Sequence, residues 1–530
     1  MSDRPVRTRI APSPTGDPHV GTAYMGLVNL VVARQGGGQF LLRIDDTDRT
    51  RYRAGSEEAI FEALRWLGLT WDEGPDVGGP KGPYRQSERT ALYREHADRF
   101  VARGAGYRCF CSKERLDALR DEQRARKETP RYDGRCRDAD PAEGARRAAA
   151  GEPHVVRLRV PADGTTTVRD LLRGDVTFPH ADLQDQVLVK EDGFPTYHFA
   201  SCVDDHLMEI THIIRAEEWL TSAPLHALIF AGFGWELPVL CHMPLLRNAD
   251  KSKISKRKNP TSLLYYRDAG FLPEGLLNFL GLMGWGGPKD LEGGASREVF
   301  TLDDMVRHFR LEELALGGPV FDPAKLRHIN AAHLRALPAR TFAARALAFL
   351  ADESKLEALA PLVLPRMETL GQLAQVADFF LGDVTQRPDL LVPARKTPPE
   401  QAAAAEEAWF VLGDALEVLE RVDPWTAAAL DQACRGLGDA APAGWKAKDV
   451  FMALRAAISG KTATPPLWES LELLGKSRAL GRLGDARRAL PEPSKKAQER
   501  REKARRAAPA AQAGAGGATG APAPAGAGEA

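Results

Sequence analysis

The chain has no surplus of either charge sign: 72 Lys and Arg balance 72 Asp and Glu over 530 residues. Bulk basicity is therefore no argument for nucleic acid, and any such surface has to be local. Cysteine is scarce, six in all, which excludes a disulfide framework; the close pair Cys109 and Cys111 points to a metal or to nothing. No apolar run approaches the ~18–20 residues of a membrane span. The opening MSDRPVRTRIAPSPTG has none of the ~7–15-residue apolar stretch of a secretion signal, so a cytoplasmic location is expected. The apolar and charged fractions, 43% and 27%, are ordinary for a globular chain and exclude disorder throughout. At about 150 residues per domain, the length suggests roughly three or four domains.

What is present first is an alternation of strand and helix patterns. Arg7–Ala11 reads as a strand running into the loop PSPTGDPHVG. Thr22 to Gln35 carries apolar residues at helical spacing (Tyr24, Leu27, Val28, Val31) and stops at Gly36-Gly37-Gly38. Phe40–Ile44 is the next strand. Ser56 reads as the N-cap of a helix with Glu57 and Glu58 in its first turn and a stripe of Ile60, Ala63, Leu64 and Leu67. This succession predicts an α/β fold with a parallel sheet. A mixed insertion is expected over 93–195, after which the α/β pattern resumes with His198–Val203, Ile210–Ile214 and Val239–Met243. From about 330 to 487 the chain turns Ala- and Leu-rich, with helical periodicities such as Thr341–Ala351, and predicts a separate all-α region. Beyond Leu490 the composition becomes Lys/Arg and then Ala/Gly/Pro, which cannot bury enough apolar surface to offset ordering entropy. A disordered tail over 488–530 is expected there, either a solvated spacer or an RNA-affinity arm.

Two segments carry chemistry. Pro12 to Thr22 joins the first strand to the first helix, the place where an open α/β sheet binds ligands. A helix N-terminus offers unpaired N–H groups there, Gly21 lets backbone approach a phosphate, and His19 can donate to one. The alternative is a plain connection. The second segment, Arg247 to Lys258, holds six cations and one carboxylate in twelve residues; alone, it reads equally as a solvated basic loop. A third stretch, Leu474-Gly475-Lys476-Ser477, echoes a phosphate-binding P-loop, but Ser470 stands where its first glycine is required and the surroundings are helical.

His-Val-Gly-Thr and Lys-Ile-Ser-Lys-Arg resemble the HIGH and KMSKS signatures of class I aminoacyl-tRNA synthetases. RIAPSPTGDPHVGTAY, RIDDTDRTRY, GPYRQSER, IRAEEWL, LGLMGW and LGGPVFD narrow the resemblance to the glutamyl-tRNA synthetases of bacteria, over residues ~5–487. The resemblance implies a Rossmann-like parallel-sheet catalytic domain in two halves, 1–92 and 196–250. Between them lies an inserted α+β acceptor-stem-binding domain, 93–195; a stem-contact region with the KISKR loop, 251–330, and an all-α anticodon-binding domain, 331–487, follow. It implies a glutamate–tRNA ligase. Glutamate's α-carboxylate attacks the α-phosphate of ATP (taken with Mg2+), and the adenylate is passed to the terminal adenosine of tRNA(Glu), first to the 2′-hydroxyl.

Catalytic roles carry over to His19, Gly21, Lys253 and Lys256, and ATP contacts to Glu218, Trp219, Leu246, Ser255 and Arg257 besides. Glutamate is expected against Arg9, Ala11, Ser13, Asp45, Tyr197, Ser201 and Arg215, two guanidinium forks suiting its side-chain carboxylate. Asp45 replaces the glutamate of many relatives, and Ser201 stands where relatives have Asn. Several relatives bind structural zinc through Cys-x-Cys and Cys-x-His at the spacing of Cys109, Cys111 and Cys136. Here Asp138 replaces the histidine, with Tyr132 as the alternative fourth ligand, and three plain cysteines remain the competing reading. Arg366 falls where relatives contact the anticodon, or forms a helix-surface ion pair. A monomer without a membrane partner is expected. Two rivals are an enzyme that glutamylates a tRNA base, disfavoured by the helical region, and an inactive tRNA-binding protein, disfavoured by the intact lysines. No single residue decides whether tRNA(Gln) is also charged.

Overall fold

In a computed structural model of the chain, Arg7–Ile10 (β1) and Gln39–Leu42 (β2) run parallel, from Arg7 opposite Gln39 to Ile10 opposite Leu42. The structure describes residues 4–48, 50–248, 250–252, 254, 261–290, 296–350, 353–395, 397–442 and 444–507. A parallel pair needs a crossover, and Val20–Gln35 (α1) supplies it, with Val20, Tyr24, Leu27, Val28 and Val31 buried against the sheet. The chain re-enters β2 so close to Val6 that a Cβ on Gly38 would stand 1.7 Å from the Val6 carbonyl oxygen, so only glycine makes this turn. The next helix, Ser56–Trp66 (α2), buries Ile60, Ala63 and Leu64 as expected. Its cap is Gly55 in the left-handed region (φ 79°), however, and Ser56 is buried in the first turn without a capping bond.

Within the expected insertion, Gly106–Cys109 (β3) and Val155–Leu158 (β4) pair antiparallel, and Thr165–Asp170 (β5) with Gly174–Pro179 (β6) forms a hairpin. Val187–Val189 (β7) completes a three-stranded sheet in the order β3–β4–β7. Next come the parallel strands His212–Ala216 (β8) and Val239–Met243 (β9), with Arg215 opposite His242. The hairpin does not stay with the insertion: β5 pairs with β9 at Asp170 and Leu240, giving the order β6–β5–β9–β8. β1 is tied to the start of β8 by the Thr211 N–H, which donates to the Arg7 carbonyl at 3.0 Å. The α/β expectation therefore stands. His198–Val203 supplies the helical part of that pattern, within the helix Tyr197–Leu207.

The chain divides into two compact units, 1–383 with 473–481 and 384–472 with the residues from 482 onward. The boundary expected at 331 thus falls inside the first unit, where Arg345 forms an ion pair with Glu274 at 2.7 Å. The second unit is helical. Its longest helix, Pro398–Glu420, starts in a capping box between Thr397 and Glu400 and buries Ala404, Ala408, Val411, Leu412, Ala415, Leu416 and Leu419, a stripe at helical spacing. In the segment expected to be a disordered tail, Lys495–Ala507 forms a helix, and Arg501 in it is ion-paired with Glu407 and Asp414 of the long helix. Composition alone could not anticipate that partner. Among the described residues, no helix is long and apolar enough to cross a membrane.

Candidate active site

β1 ends in the loop that leads to α1, and the first side chain of interest there is His19. It is the N-cap of α1 in an extended conformation, and its Nδ1 accepts the Gly21 N–H at 3.0 Å. The helix therefore begins two residues earlier than the periodicity from Thr22 suggests: an imidazole does the capping that Ser, Thr, Asp or Asn usually does. In the neutral ring the proton is then on Nε2. Gly21 is required beneath it, since a Cβ there would stand 2.8 Å from the imidazole.

This loop is bonded to the far side of the basic segment. The Val20 N–H donates to the Thr261 carbonyl at 2.8 Å, the Leu263 N–H donates to the Pro18 carbonyl at 2.9 Å, and His19 bridges Ser262. The near side of the segment is equally fixed. The Ile254 N–H donates to the Leu246 carbonyl, and Arg247 exchanges backbone hydrogen bonds with Pro319 and Phe321. Arg247 also reaches Glu217 at 3.1 Å, which in turn holds Arg173 at 2.7 Å and accepts the Leu245 N–H. The described residues flanking the basic segment thus lie after β9 on one side and beside the N-terminus of α1 on the other. Lys253, Ser255, Lys256 and Arg257 themselves lie outside the described residues. Ser477, in the stretch that echoed a P-loop, donates to Asp17 at 3.2 Å in this same loop; it joins two helices, so no P-loop geometry exists there.

Below the strand ends lies a buried network of charge. Arg9 on β1 donates through Nε and Nη2 to both oxygens of Asp205, each at 3.0 Å. Arg43, fully buried just after β2, donates to Asp45 at 2.8 Å, to Asp205 at 2.8 Å and to the Ser201 hydroxyl at 3.4 Å. Arg89 and Tyr93 hold Asp204. Buried ions persist only when paired, and pairing dominates here. Burial pushes the Asp205 carboxyl up, but Arg9 and Arg43 overcome it and hold the group below the usual carboxylate range. For Asp45 the balance is reversed: burial outweighs Arg43 and raises it to about 6.

Arg215, on β8, is buried among partners of its own. It donates to Tyr197 at 3.3 Å, and the Tyr197 ring lies 4.4 Å from that of Trp219. Of the expected glutamate residues, Arg9, Asp45, Ser201 and Arg215 are each buried, the first three tied into the Arg43–Asp205 network; Tyr197 and Ala11 are half-buried, and Ser13 is exposed in the loop after β1. Among the expected ATP residues, Leu246 is buried, whereas Glu218 and Trp219 are exposed at the carboxyl end of β8. Sequence reasoning missed Asp205, Arg43, Glu217, His226 and His242. The run Val-Asp-Asp-His-Leu and the histidine of His-Met-Pro-Leu were in view, but nothing in spacing says which arginine a carboxylate will meet.

In the insertion, Cys109, Cys111 and Cys136 put their sulfur atoms within 4.8 Å of one another, Cys111 and Cys136 at 3.6 Å. A tetrahedral zinc with Zn–S of ~2.3 Å needs sulfurs about 3.8 Å apart, so the trio fits. The Tyr132 hydroxyl lies 3.4 Å from the Cys109 sulfur and 3.8 Å from that of Cys111. Asp138 instead pairs with Arg159 at 3.2 Å and is largely solvent-exposed. Burial raises the Cys111 thiol to about 11; burial acts on Cys109 too, but hydrogen bonds from Tyr132, the Cys111 backbone and Arg157 bring it below its ordinary value. In the first unit, Arg366 ends a short 3-10 turn, exposed, with Nη1 on the Leu362 carbonyl at 2.8 Å.

The family model described as tRNA synthetases class I (E and Q), catalytic domain, matches residues 5–328, and one described as an anticodon binding domain matches 341–487. The chain is 48% identical over 491 residues to a glutamate–tRNA ligase of Ectopseudomonas mendocina, covering 93% of this chain and 97% of that one. A glutamate–tRNA ligase of Acinetobacter baylyi is 47% identical, with 93% and 95% covered. A solved structure of a glutamate tRNA ligase from Elizabethkingia meningosepticum, in complex with its amino acid, is 31% identical. It covers 92% of this chain and 100% of that one, with a TM-score of 0.61. Since catalytic and helical regions both match, in the same order and over nearly the full length, this chain belongs to the class I tRNA synthetases of the E and Q family.

Proposed function

We propose that the chain is a glutamate–tRNA ligase, which joins L-glutamate to AMP at the expense of ATP and passes the glutamyl group to the terminal adenosine of tRNA(Glu). The observation that carries this reading is the bonding of Pro18, His19 and Val20 to residues 261–263, which brings the histidine loop and the flank of the lysine segment together. A triphosphate held there would meet the N–H groups at the start of α1, and Lys253 and Lys256 are the cations that would neutralise it. Activation of this kind asks little covalent chemistry of the protein; positioning and charge stabilisation at the leaving pyrophosphate are its main contributions. Mg2+ accompanies the nucleotide. Arg9 and Arg215 receive the side-chain carboxylate of glutamate, and Asp45 its ammonium. Arg366 serves the anticodon. Glutamate-dependent exchange of pyrophosphate into ATP tests the reading: activity is expected with tRNA(Glu) added, and none under any condition contradicts it.

Gly21→Ala is expected to push the imidazole off its cap, costing about 1 kcal/mol of stability in chemical denaturation. The same variant slows pyrophosphate exchange, because His19 and the helix N-terminus move together.

The raised carboxyl of Asp45 sets a pH dependence. At neutral pH it is ionised, and it takes up a proton as the pH falls through about 6. A protonated Asp45 no longer attracts an ammonium group. The KM for glutamate is therefore expected to climb between pH of about 7 and about 5 while that for ATP stays level; a flat glutamate KM over that range contradicts the role.

The three thiolates with the Tyr132 hydroxyl fit a structural zinc, which would cross-link the insertion; Asp138, turned to Arg159, is not needed. Elemental analysis is expected to find about one zinc per chain, reduced in Tyr132→Phe and retained in Asp138→Asn. Metal-free protein with an intact fold returns the trio to plain cysteines.

A further inference from the structure

The guanidinium groups beneath the strand ends are held in two different ways. Arg9 and Arg43 are clamped by carboxylates, Asp205 for both and Asp45 for the second. Arg215 is not. Its Nε donates to Nε2 of His242 at 3.0 Å, and its Nη1 donates to Nδ1 of His226 at 3.2 Å and to the Tyr197 hydroxyl at 3.3 Å. Its Nη2 donates to the Trp219 carbonyl at 3.3 Å. Every one of these acceptors is neutral, and among the described residues no carboxylate forms an ion pair with Arg215.

A guanidinium only donates, so the two imidazole nitrogens that face it must carry lone pairs. His242 then keeps its proton on Nδ1, directed at Asp170 Oδ2 at 2.7 Å. His226 keeps its own on Nε2, 3.3 Å from Nδ1 of His198. Arg215, His226, His242 and Asp170 are all 6% exposed or less. Burial, joined by the charge of Arg215, holds His226 well below its ordinary value, and His198 and His242 are lowered for the same reasons, Asp170 opposing in the last case. The sheet sets the spacing, because Arg215 and His242 are direct partners across β8 and β9. Asp170 lies at the end of β5, on the far side of the His242 ring, so it fixes the tautomer without touching the guanidinium.

We propose that His226 and His242 are positioning residues that fix the Arg215 guanidinium with neutral acceptors, leaving its positive charge to select the carboxylate of glutamate over the amide of glutamine. A carboxylate in either place would hold the guanidinium as firmly but would neutralise it. The charge of Arg215 would then be offset, as Asp205 offsets that of Arg9, and the pocket would separate glutamate from its neutral isostere less well. The assignment rests on the glutamate–tRNA ligase reading and adds to it which residues keep the pocket cationic.

The test compares two isosteres at one position, using the full chain with tRNA(Glu). Asn and Asp both put an oxygen where Nδ1 of His226 stands, one neutral and one charged. His226→Asp is expected to lose about tenfold or more of the glutamate-over-glutamine ratio of kcat/KM in pyrophosphate exchange, mainly through the KM for glutamate. His226→Asn is expected to keep that ratio within about threefold, and the KM for ATP should hold in both. Should the Asp variant not fold, the second acceptor decides: His242→Gln retains the glutamate KM and His242→Leu raises it about tenfold or more. Equal discrimination in His226→Asp and wild type overturns the proposal, as does an equal loss in the Asn and Asp variants. Absence of exchange in the wild-type protein overturns the ligase reading instead, so the two failures are distinguishable.

Discussion

Replacing Lys256 with alanine is expected to lower tRNA-dependent pyrophosphate exchange by about 10²–10³-fold, the ~3–4 kcal/mol that one well-placed transition-state donor supplies. Binding of ATP before reaction should change far less, because negative charge grows on the bridging oxygen only as the bond to the α-phosphate breaks. The fold should survive. The described residues on either side of Lys256 are held by Ile254 on Leu246 and Arg247 on Pro319 and Phe321 before it, and by Thr261 and Leu263 on the Pro18–Val20 loop after it. None of those bonds involves the lysine. Exchange within about twofold of wild type would remove Lys256 from the chemistry.

The second large effect concerns Arg215→Ala. Truncating one partner of a buried charged contact costs ~2–5 kcal/mol, so the kcat/KM for glutamate should fall by between about 30-fold and several-thousand-fold. The KM for ATP should not follow it. Stability separates this substitution from its neighbour. Arg215 is surrounded by neutral acceptors, so its removal strands no buried ion. Arg9→Ala leaves Asp205, 1% exposed, with Arg43 as its remaining partner, and is expected to destabilise the protein more. Denaturant unfolding of the two variants side by side, with the glutamate KM of each, checks both halves. If Arg215→Ala is the less stable of the pair, the charge accounting is wrong.

How much of this was legible in the chain follows a physical division. Local pattern carried β1, α1, β2 and the buried stripe of α2, because those residues must bury one face whatever else the chain does. Pattern failed where the partner is distant. Nothing in the hairpin of β5 and β6 says that it will join β9, some seventy residues later. The helix over Lys495–Ala507 reads as solvated sequence until Glu407 and Asp414 are placed beside Arg501.

The candidate site divides in the same way. His19, Gly21 and the arginines could be named because motif residues keep their order. Their supports could not: Asp205 is 196 residues from Arg9, His242 is 27 from Arg215, and only the folded sheet brings them together. The surroundings of the cysteine cluster show what a spacing leaves open. Asp138 pairs with Arg159, and the Tyr132 hydroxyl is the group found among the thiols.

The central claim is that the histidine loop and the lysine segment close on one substrate complex. A crystal structure of the protein with a non-hydrolysable glutamyl-adenylate analogue tests it most directly. The analogue is predicted to lie between His19 and the 251–258 segment, with its side-chain carboxylate on Arg215. An analogue bound elsewhere, with both stretches untouched, would contradict the account.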